Sequence, residues 1–367
     1  MTTMWRLLDL GAIDGYTMTN LYEAVGRAVS GGSVPNTVIL NHPSKPFVNI
    51  GFHQLMDVEI DVDYARKMEF DLVRRTIGGG AILDGPWEQD YFVVVDRKSP
   101  ECPATMAEFY PKFMGPAVEA LGRLGLEASI RAPNDILVDG KKISGNGAIT
   151  IERANVLAGD LLMDVPSDLM SRIIKAPSEK FQDKLAESMG EWLTSVRGAL
   201  GSEVSREAVK RAYVESFSEG LGVELVPGGL TEDEEFCLMG LIEERRTEEW
   251  IFGKDLMLKG LVEDPWITKV RGGVSVSEVV HKAGKLIRVT VVEEEGMIRG
   301  VSISGDFFTM PFAGAVEGLE AALMGVALER DALAEAVAGA YERLGLMVFG
   351  AEQGDFVEAL MKVRVES

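Results

Sequence analysis

Two short segments hold the residue types that chemistry on a charged group would need. The first is Arg74-Arg75-Thr76-Ile77-Gly78-Gly79-Gly80-Ala81-Ile82-Leu83. Three consecutive glycines weaken regular structure and bare backbone N–H groups, so a phosphate or an acyl chain can approach the main chain. Two arginines just ahead supply planar, permanently charged forks for phosphate oxygens. The same residues also suit a plain turn with solvated arginines, and spacing alone does not separate the readings. The segment is not a P-loop: no glycine is followed by Lys-Ser or Lys-Thr, and no full G-x-G-x-x-G exists. The second segment runs from Pro133-Asn134-Asp135 through Asp139-Gly140-Lys141-Lys142-Ile143-Ser144 to Gly147. Asp-Gly is a strong two-residue hairpin signal. Closing there pairs Val138 with Lys141 and Leu137 with Lys142, and sets Asp135 opposite Ser144. Strand alternation then gathers Asp135, Lys142 and Ser144 on one face, a carboxylate, an ammonium and a hydroxyl on a rigid element. A surface hairpin with an ordinary ion pair is the plainer alternative.

Other reactive residue types read as bland. His53 follows Gly51-Phe52, and a lone histidine there is more often structural than catalytic. Cys102 sits between Glu101 and Pro103 with no basic neighbour to activate it. Seventeen methionines suit adaptable core packing. The charged run 243–249 reads as a solvated helix end.

The elements that must hold these segments alternate in the first half. Strands are predicted at 37–40, 46–50, 71–75 and 91–95, with helices at 61–68 and 104–124. Strands follow near 134–138, 141–144, 147–152 and 156–163, and helices dominate 167–220 and 232–247. Antiparallel hairpins with late helices indicate an α+β fold with a mixed or antiparallel sheet. A first domain is expected over 1–255 and a smaller α+β domain over 262–367. The latter has strands at 268–280, 285–293 and 297–304 and helices near 314–324, 328–345 and 355–364. Gly253 and Gly260 suit a hinge between the two.

Length and composition bound the rest. The 367 residues, 46% hydrophobic, can bury a sizeable core. With 37 basic and 58 acidic residues the net charge is −21, which disfavours nucleic acid as a partner. Two cysteines and three histidines support neither a disulfide scaffold nor a thiolate zinc site. Arg6 and Asp9 interrupt the N-terminus, so it does not read as a signal peptide, and no apolar run is long enough to span a bilayer. A cytoplasmic location is expected.

Taken in order, these segments resemble the lipoate–protein ligase family, within the biotin/lipoate ligase fold. The resemblance runs from Val48-Asn-Ile-Gly-Phe-His-Gln54 through Arg74-Arg75-x-x-Gly78-Gly79-Gly80-Ala81, its most specific part. It continues through Asn134-Asp135, Lys142-Ile-Ser-Gly145 and Gly159-Asp160-Leu161-Leu162. Trp250-Ile-Phe-Gly253 resembles the linker end of the catalytic domain, and Ile303-Ser-Gly-Asp306-Phe307-Phe308 the accessory domain. The resemblance implies activation of lipoate by ATP, with Mg²⁺, to lipoyl-AMP, then attack by a lysine of a lipoyl-acceptor domain protein. It implies a catalytic role for Lys142. It also implies ATP or substrate contacts from Arg75, Gly78, Gly79, Gly80, Ala81, Ile82, Leu83, Asn134 and Asp135. The chain departs from the family pattern at Asp84-Gly85, at Trp87-Glu88 and at Gly51-Phe52-His53-Gln54, which bears on the acyl substrate and acceptor.

Three other readings stand beside this one. An octanoyltransferase of the same fold would use a cysteine nucleophile and no ATP, but Ala132-Pro-Asn-Asp135 holds no cysteine. A biotin ligase would carry a Gly-Arg-Gly-Arg-x-Gly loop. A non-catalytic acyl-carrier-binding protein is the reading from a different class.

Overall fold

The N-terminal residues Thr3–Ile13 form a strand that buries Trp5, Leu7 and Leu8, and Asp14 then caps the helix Gly15–Gly31 by accepting from the Tyr16 and Thr17 amides. That helix is the crossover to a parallel strand, Thr37–Pro43. The sequence reading has no strand or helix before residue 37. The glycines at 15, 26 and 31 dilute a helical face built from Met18, Leu21, Tyr22, Val25 and Val29. The computed structural model describes residues 3–175, 189–262 and 274–363. It divides into two compact units, Met1–Asn49 with Ile60–Val73 and Ile82–Thr247, and Ile50–Glu59 with Arg74–Ala81 and Glu248–Ser367.

The strands up to residue 227 are β1 (Thr3–Ile13), β2 (Thr37–Pro43), β3 (Phe47–Ile50), β4 (Asp71–Arg74), β5 (Ile82–Asp84), β6 (Asp90–Asp96), β7 (Ala128–Arg131), β8 (Asp135–Val138), β9 (Lys141–Ile151), β10 (Ala154–Gly159) and β11 (Val223–Pro227). Eight of them form one mixed sheet in the order β11-β1-β2-β6-β10-β9-β8-β7. β1 is parallel to β2 and β11, and the remaining pairs are antiparallel. Helices Met106–Arg123 and Arg206–Leu221 supply Phe109, Phe113, Tyr213 and Phe217 to a core shared with Tyr91, Val93 and Val95 of β6. The smaller sheet β4-β3-β5 carries Ile82 and Leu83 opposite Asn49 and Val48.

The second unit holds a meander, β12 (Val274–Lys282), β13 (Leu286–Glu294) and β14 (Met297–Gly305), and the short pair β15 (Phe308–Met310) and β16 (Met347–Phe349). Helices Ala315–Leu323, Arg330–Leu344 and Gln353–Lys362 close its core around Phe307, Leu333 and Phe356. The α+β class is thus the one expected, a large mixed sheet and a smaller C-terminal α/β region.

Several boundaries differ from expectation. The strands read at 141–144 and 147–152 are one continuous strand, because Gly145 and Gly147 stay in the ladder. The strand read at 156–163 ends at Gly159. Residues 268–273 of the strand read at 268–280 lie outside the described residues, as do 176–188 of the helical stretch. Trp250-Ile-Phe-Gly253 is not a linker but part of the helix Glu248–Val262, with Ile251 and Phe252 buried. Gly253 and Gly260, read as hinge glycines, lie inside that same helix.

Candidate active site

The hairpin closes where Asp139-Gly140 predicts. Asp139 takes φ of +51° and Gly140 of +75°, the two positive values that a tight hairpin turn of this type requires. Val138 pairs with Lys141 and Leu137 with Lys142. Beyond them the register slips by one residue. Ile136 faces Ser144, and Asp135 faces Gly145 rather than Ser144 as the sequence suggested. The extra residue is Ile143, which is fully buried, so a bulge lets that side chain reach the core.

The bulge does not separate Asp135 from Lys142. Lys142 Nζ lies 2.9 Å from Asp135 Oδ1, and Arg131 Nη2 donates to Asp135 Oδ2 at 2.6 Å. Partial burial works to raise the Asp135 carboxyl, but the Lys142 and Arg131 cations and their hydrogen bonds outweigh it and hold it below its ordinary value. Lys142 remains 34% exposed, open enough to meet a ligand. Ser144 does not join this pair. It is buried and accepts from Asn146 Nδ2 at 3.3 Å. Asn134 is also turned to the scaffold: its side-chain amide donates to the Asn146 carbonyl, and its own carbonyl accepts from the Asn146 backbone at 2.9 Å.

A second carboxylate stands near. A side-chain carbon on Gly145 would fall 2.7 Å from Lys142 Nζ and 3.5 Å from Asp160 Oδ2. Gly145 therefore leaves the space in which the Lys142 ammonium sits. The Gly145 amide donates to Asp160 Oδ1, fixing that carboxylate at the end of β10. Behind it lie Glu88 and Asp90, both inside the protein. Burial, then the nearby Asp84, Asp90 and Asp160 carboxylates, push the Glu88 carboxyl well above its ordinary value. Burial, then Asp84 and Asp160, do the same to Asp90. Arg206 Nη2 donates to the Pro86 carbonyl at 2.6 Å, pinning the loop that carries Glu88. Sequence reasoning missed Asp160, Glu88 and Asp90 as a group. Gly159-Asp160 was the one visible signal for it.

The glycine run belongs to the second unit. Arg75 is nearly buried and Nη2 donates to the carbonyls of Gly78 at 2.9 Å and Gly80 at 2.8 Å. Its fork thus braces the loop it precedes. Gly78 packs under Phe307 and Phe308, where a side-chain carbon would strike the Phe307 carbonyl oxygen at 2.5 Å. Arg74 is not a solvated fork either: it donates to the carbonyls of Gln54 at 2.5 Å and Ile251 at 2.7 Å. Burial lowers its guanidinium to about 10, against the pull of Asp255. Ala81 follows in the same unit, while Ile82 and Leu83 enter β5 of the first. Lys142 and Asp135 are brought together, then, and Arg75 with Gly78 and Gly80. His53 is structural as read, buried with Nε2 2.8 Å from Thr309 Oγ1 and its ring stacked on Phe307.

Neither thiol borders Lys142 in the sheet. Cys102 Sγ lies 3.7 Å from Asn155 Nδ2, at the start of β10, whereas Gly159 at its far end pairs with Asn146. The four residue steps between Asn155 and Gly159 span about 13 Å. Burial pushes the Cys102 thiol up. Cys237 lies on the helix Glu232–Arg245. Among the described residues, no group of three or more His, Cys, Asp or Glu side chains could hold a metal ion. Among the described residues, no helix is long and apolar enough to cross a membrane.

Residues 14–218 match the Lipoyl protein ligase A/B catalytic domain. The chain is 30% identical to octanoyltransferase LipM of Kyrpidia tusciae over 68% of its own length and 99% of that protein. Among solved structures, the bi-partite lipoate protein ligase of Thermoplasma acidophilum, described with its E2 lipoyl domain, superposes with a TM-score of 0.63. It is 29% identical and covers 68% of this chain and 97% of its own. A lipoate-protein ligase A bound with ATP has a TM-score of 0.59 at 25% identity, over 69% of this chain and 99% of its own. A mixed-sheet α+β enzyme fold with one lysine on a hairpin face is the class these features define. The chain belongs to the lipoyl protein ligase A/B family, whose members include lipoate ligases and octanoyltransferases.

Proposed function

We propose that this enzyme is an ATP-dependent lipoate–protein ligase. The carboxylate oxygen of lipoate attacks the α-phosphorus of ATP, pyrophosphate leaves, and the acyl-adenylate then acylates a lysine of a lipoyl-acceptor domain with release of AMP. Joining a carboxylate to a phosphate brings like charges together, so a fixed cation at that point lowers the barrier. The observation that carries the reading is Lys142, held 2.9 Å from Asp135 on a rigid hairpin and partly open to solvent. Asp135 sets the direction of the ammonium, and Gly145 clears its space. In this reading Arg75, Gly78, Gly79, Gly80, Ala81, Ile82, Leu83 and Asn134 contribute to the nucleotide and acyl contacts, directly or by shaping the loops. A solved relative bound with ATP supports the nucleotide, and the one described with an E2 lipoyl domain supports the acceptor.

A second reading, transfer of an octanoyl group without ATP, is favoured by the name of the LipM relative. A thiol nucleophile is what that reaction asks of the chain. Cys102 stands beside Asn155, half-buried and with its thiolate disfavoured, which weighs for the ligase. ATP–pyrophosphate exchange driven by lipoate or octanoate tests the choice. Exchange above background supports the ligase. Its absence, together with ATP-free transfer from octanoyl acyl carrier protein to a lipoyl domain, would establish the transferase.

A further inference from the structure

The second unit contains a cavity of about 170 Å³ that shares no residue with the proposed reaction. Its long wall is the helix Glu248–Val262, which contributes Lys254, Met257, Leu258 and Leu261. Its floor is β14. Gly300 lets Leu261 close onto that strand, and alternation puts Ser302 and Ser304 on the face that Gly300 opens. The charged end comes from the helix Ala315–Leu323. Glu317 Oε1 accepts from Lys254 Nζ at 2.8 Å, and Glu320 Oε1 accepts from the Ile303 amide at 2.7 Å.

Among the described residues, once Glu320 is ionised, the charges there do not balance. Two carboxylates face one ammonium, and that ammonium is already bound to Glu317. Among the described residues Glu317 Oε2 is shielded from solvent and makes no hydrogen bond of ordinary geometry, while burial, which works to raise the carboxyl, is outweighed by Lys254 and the Glu317 and Gly314 backbone. Burial pushes the Glu320 carboxyl up to about 7, with the Ile303 amide and Lys254 only partly opposing it. A second cation would satisfy both groups. A second anion would meet Glu317 Oε2 and Glu320 with no free positive charge to receive it. An ammonium offers three donors, matching Glu317 Oε2, Glu320 and a seryl hydroxyl, while a methylene stem lies along Leu55, Met257 and Leu261.

We infer that this cavity is a binding site for a primary alkylammonium group, the chemistry of a lysine side chain or of a small free amine. A few convergent polar groups at one end of an apolar slot are the usual means of orienting such a ligand. Calorimetric titration of the full chain with Nα-acetyl-lysine N-methylamide tests it, with n-butylamine, the Nε-acetylated analogue and octanoate alongside. The lysine analogue should bind and the two uncharged or anionic probes should not. Tighter binding of the lysine analogue than of butylamine supports a polypeptide source, and equal binding a free amine. Glu320→Gln keeps the oxygen that accepts from Ile303 and should weaken binding about fivefold, the scale of a part-buried charge contact. Ser302→Leu, which fills the floor, should abolish binding even if Glu320→Gln folds poorly. Equal affinity for the Nε-acetylated analogue, binding of octanoate in place of the amine, or unchanged affinity in both variants would overturn the assignment. None of these readouts involves ATP or acyl transfer, so the result is independent of the reaction proposed above.

Discussion

Removing the Lys142 ammonium should cut adenylate formation by about 10²–10³, the usual loss for a charge contact made in the transition state. The fold should stay intact, since Asp135 keeps Arg131 as a partner. Lys141→Ala should stay close to wild type, because Lys141 is on the opposite face and, among the described residues, its Nζ donates to the Gly190 carbonyl. Pyrophosphate exchange measures both variants: near-wild-type exchange in Lys142→Ala would remove Lys142 from the mechanism, and equal losses would show that the two lysines do not sit on opposite faces. Glu88 gives a different signal. An unfolded glutamate titrates near about 4.3, whereas burial and the surrounding carboxylates hold the folded Glu88 far higher. Between those two values the folded state binds more protons, so stability falls as pH rises. Melting temperature should therefore drop less from pH 5 to pH 8 in Glu88→Gln than in wild type, and parallel drops would acquit Glu88. The residue types themselves explain what the sequence hid. Carboxylates are expected at the surface, so nothing in the sequence marked Glu88 and Asp90 as buried. Arg74 read as a phosphate fork because its carbonyl partner at Ile251 lies far along the chain.

At the scale of elements, the hairpin was legible because its turn is set by two adjacent residues. Its bulge was not, since the burial of Ile143 is decided by a core assembled from distant helices. The same hairpin makes Gly145 a control point. Gly145→Ala places a carbon 2.7 Å from Lys142 Nζ and 2.9 Å from Cε. The flexible end of Lys142 can swing away at little cost, so melting should hardly change while adenylation falls toward the level of Lys142→Ala. Wild-type exchange in Gly145→Ala would show that the Lys142–Asp135 geometry is not required. The glycine run behaves otherwise. Gly79 has φ of +98°, and a side-chain carbon there would sit 3.0 Å from Arg75 Nη2 and 3.2 Å from Phe308 Cζ. The glycine run, read as a close approach for the ligand, predicts that Gly79→Val blocks acyl binding more than ATP binding. The backbone angle instead predicts a loss of stability of about 1–3 kcal/mol. Gly80→Val, whose nearest neighbour is Asp306 Cβ at 4.0 Å, should cost much less. Urea unfolding of the two variants decides it, and equal midpoints would refute the strain.

For the whole molecule, the expectation that residues 1–260 fold without the remainder becomes a proposal with a sharper outcome. The second unit takes residues 50–59 and 74–81 together with the C-terminal part. Truncation after 260 removes Thr309 from His53 and the Phe307–Phe308 cover from Gly78. Hydrogen exchange should rise in 50–59 and 74–81 while β6, β9 and β10 stay protected, and adenylation should fall. Uniform exchange across both regions would mean that the two units share their stability. The expected boundary came from composition, which registers where a stretch of chain changes character. It does not register that two short early segments, 50–59 and 74–81, belong with partners made much later. That weaving has a consequence for synthesis. At about 5–20 residues per second, roughly 10–50 s separate the emergence of Gly78 from that of Phe307. Over that interval the nascent chain carries a glycine-rich loop and a buried-type histidine with nothing to cover them. Translation speed between Gly78 and Phe307 therefore sets how long the growing protein is open to chaperones and proteases.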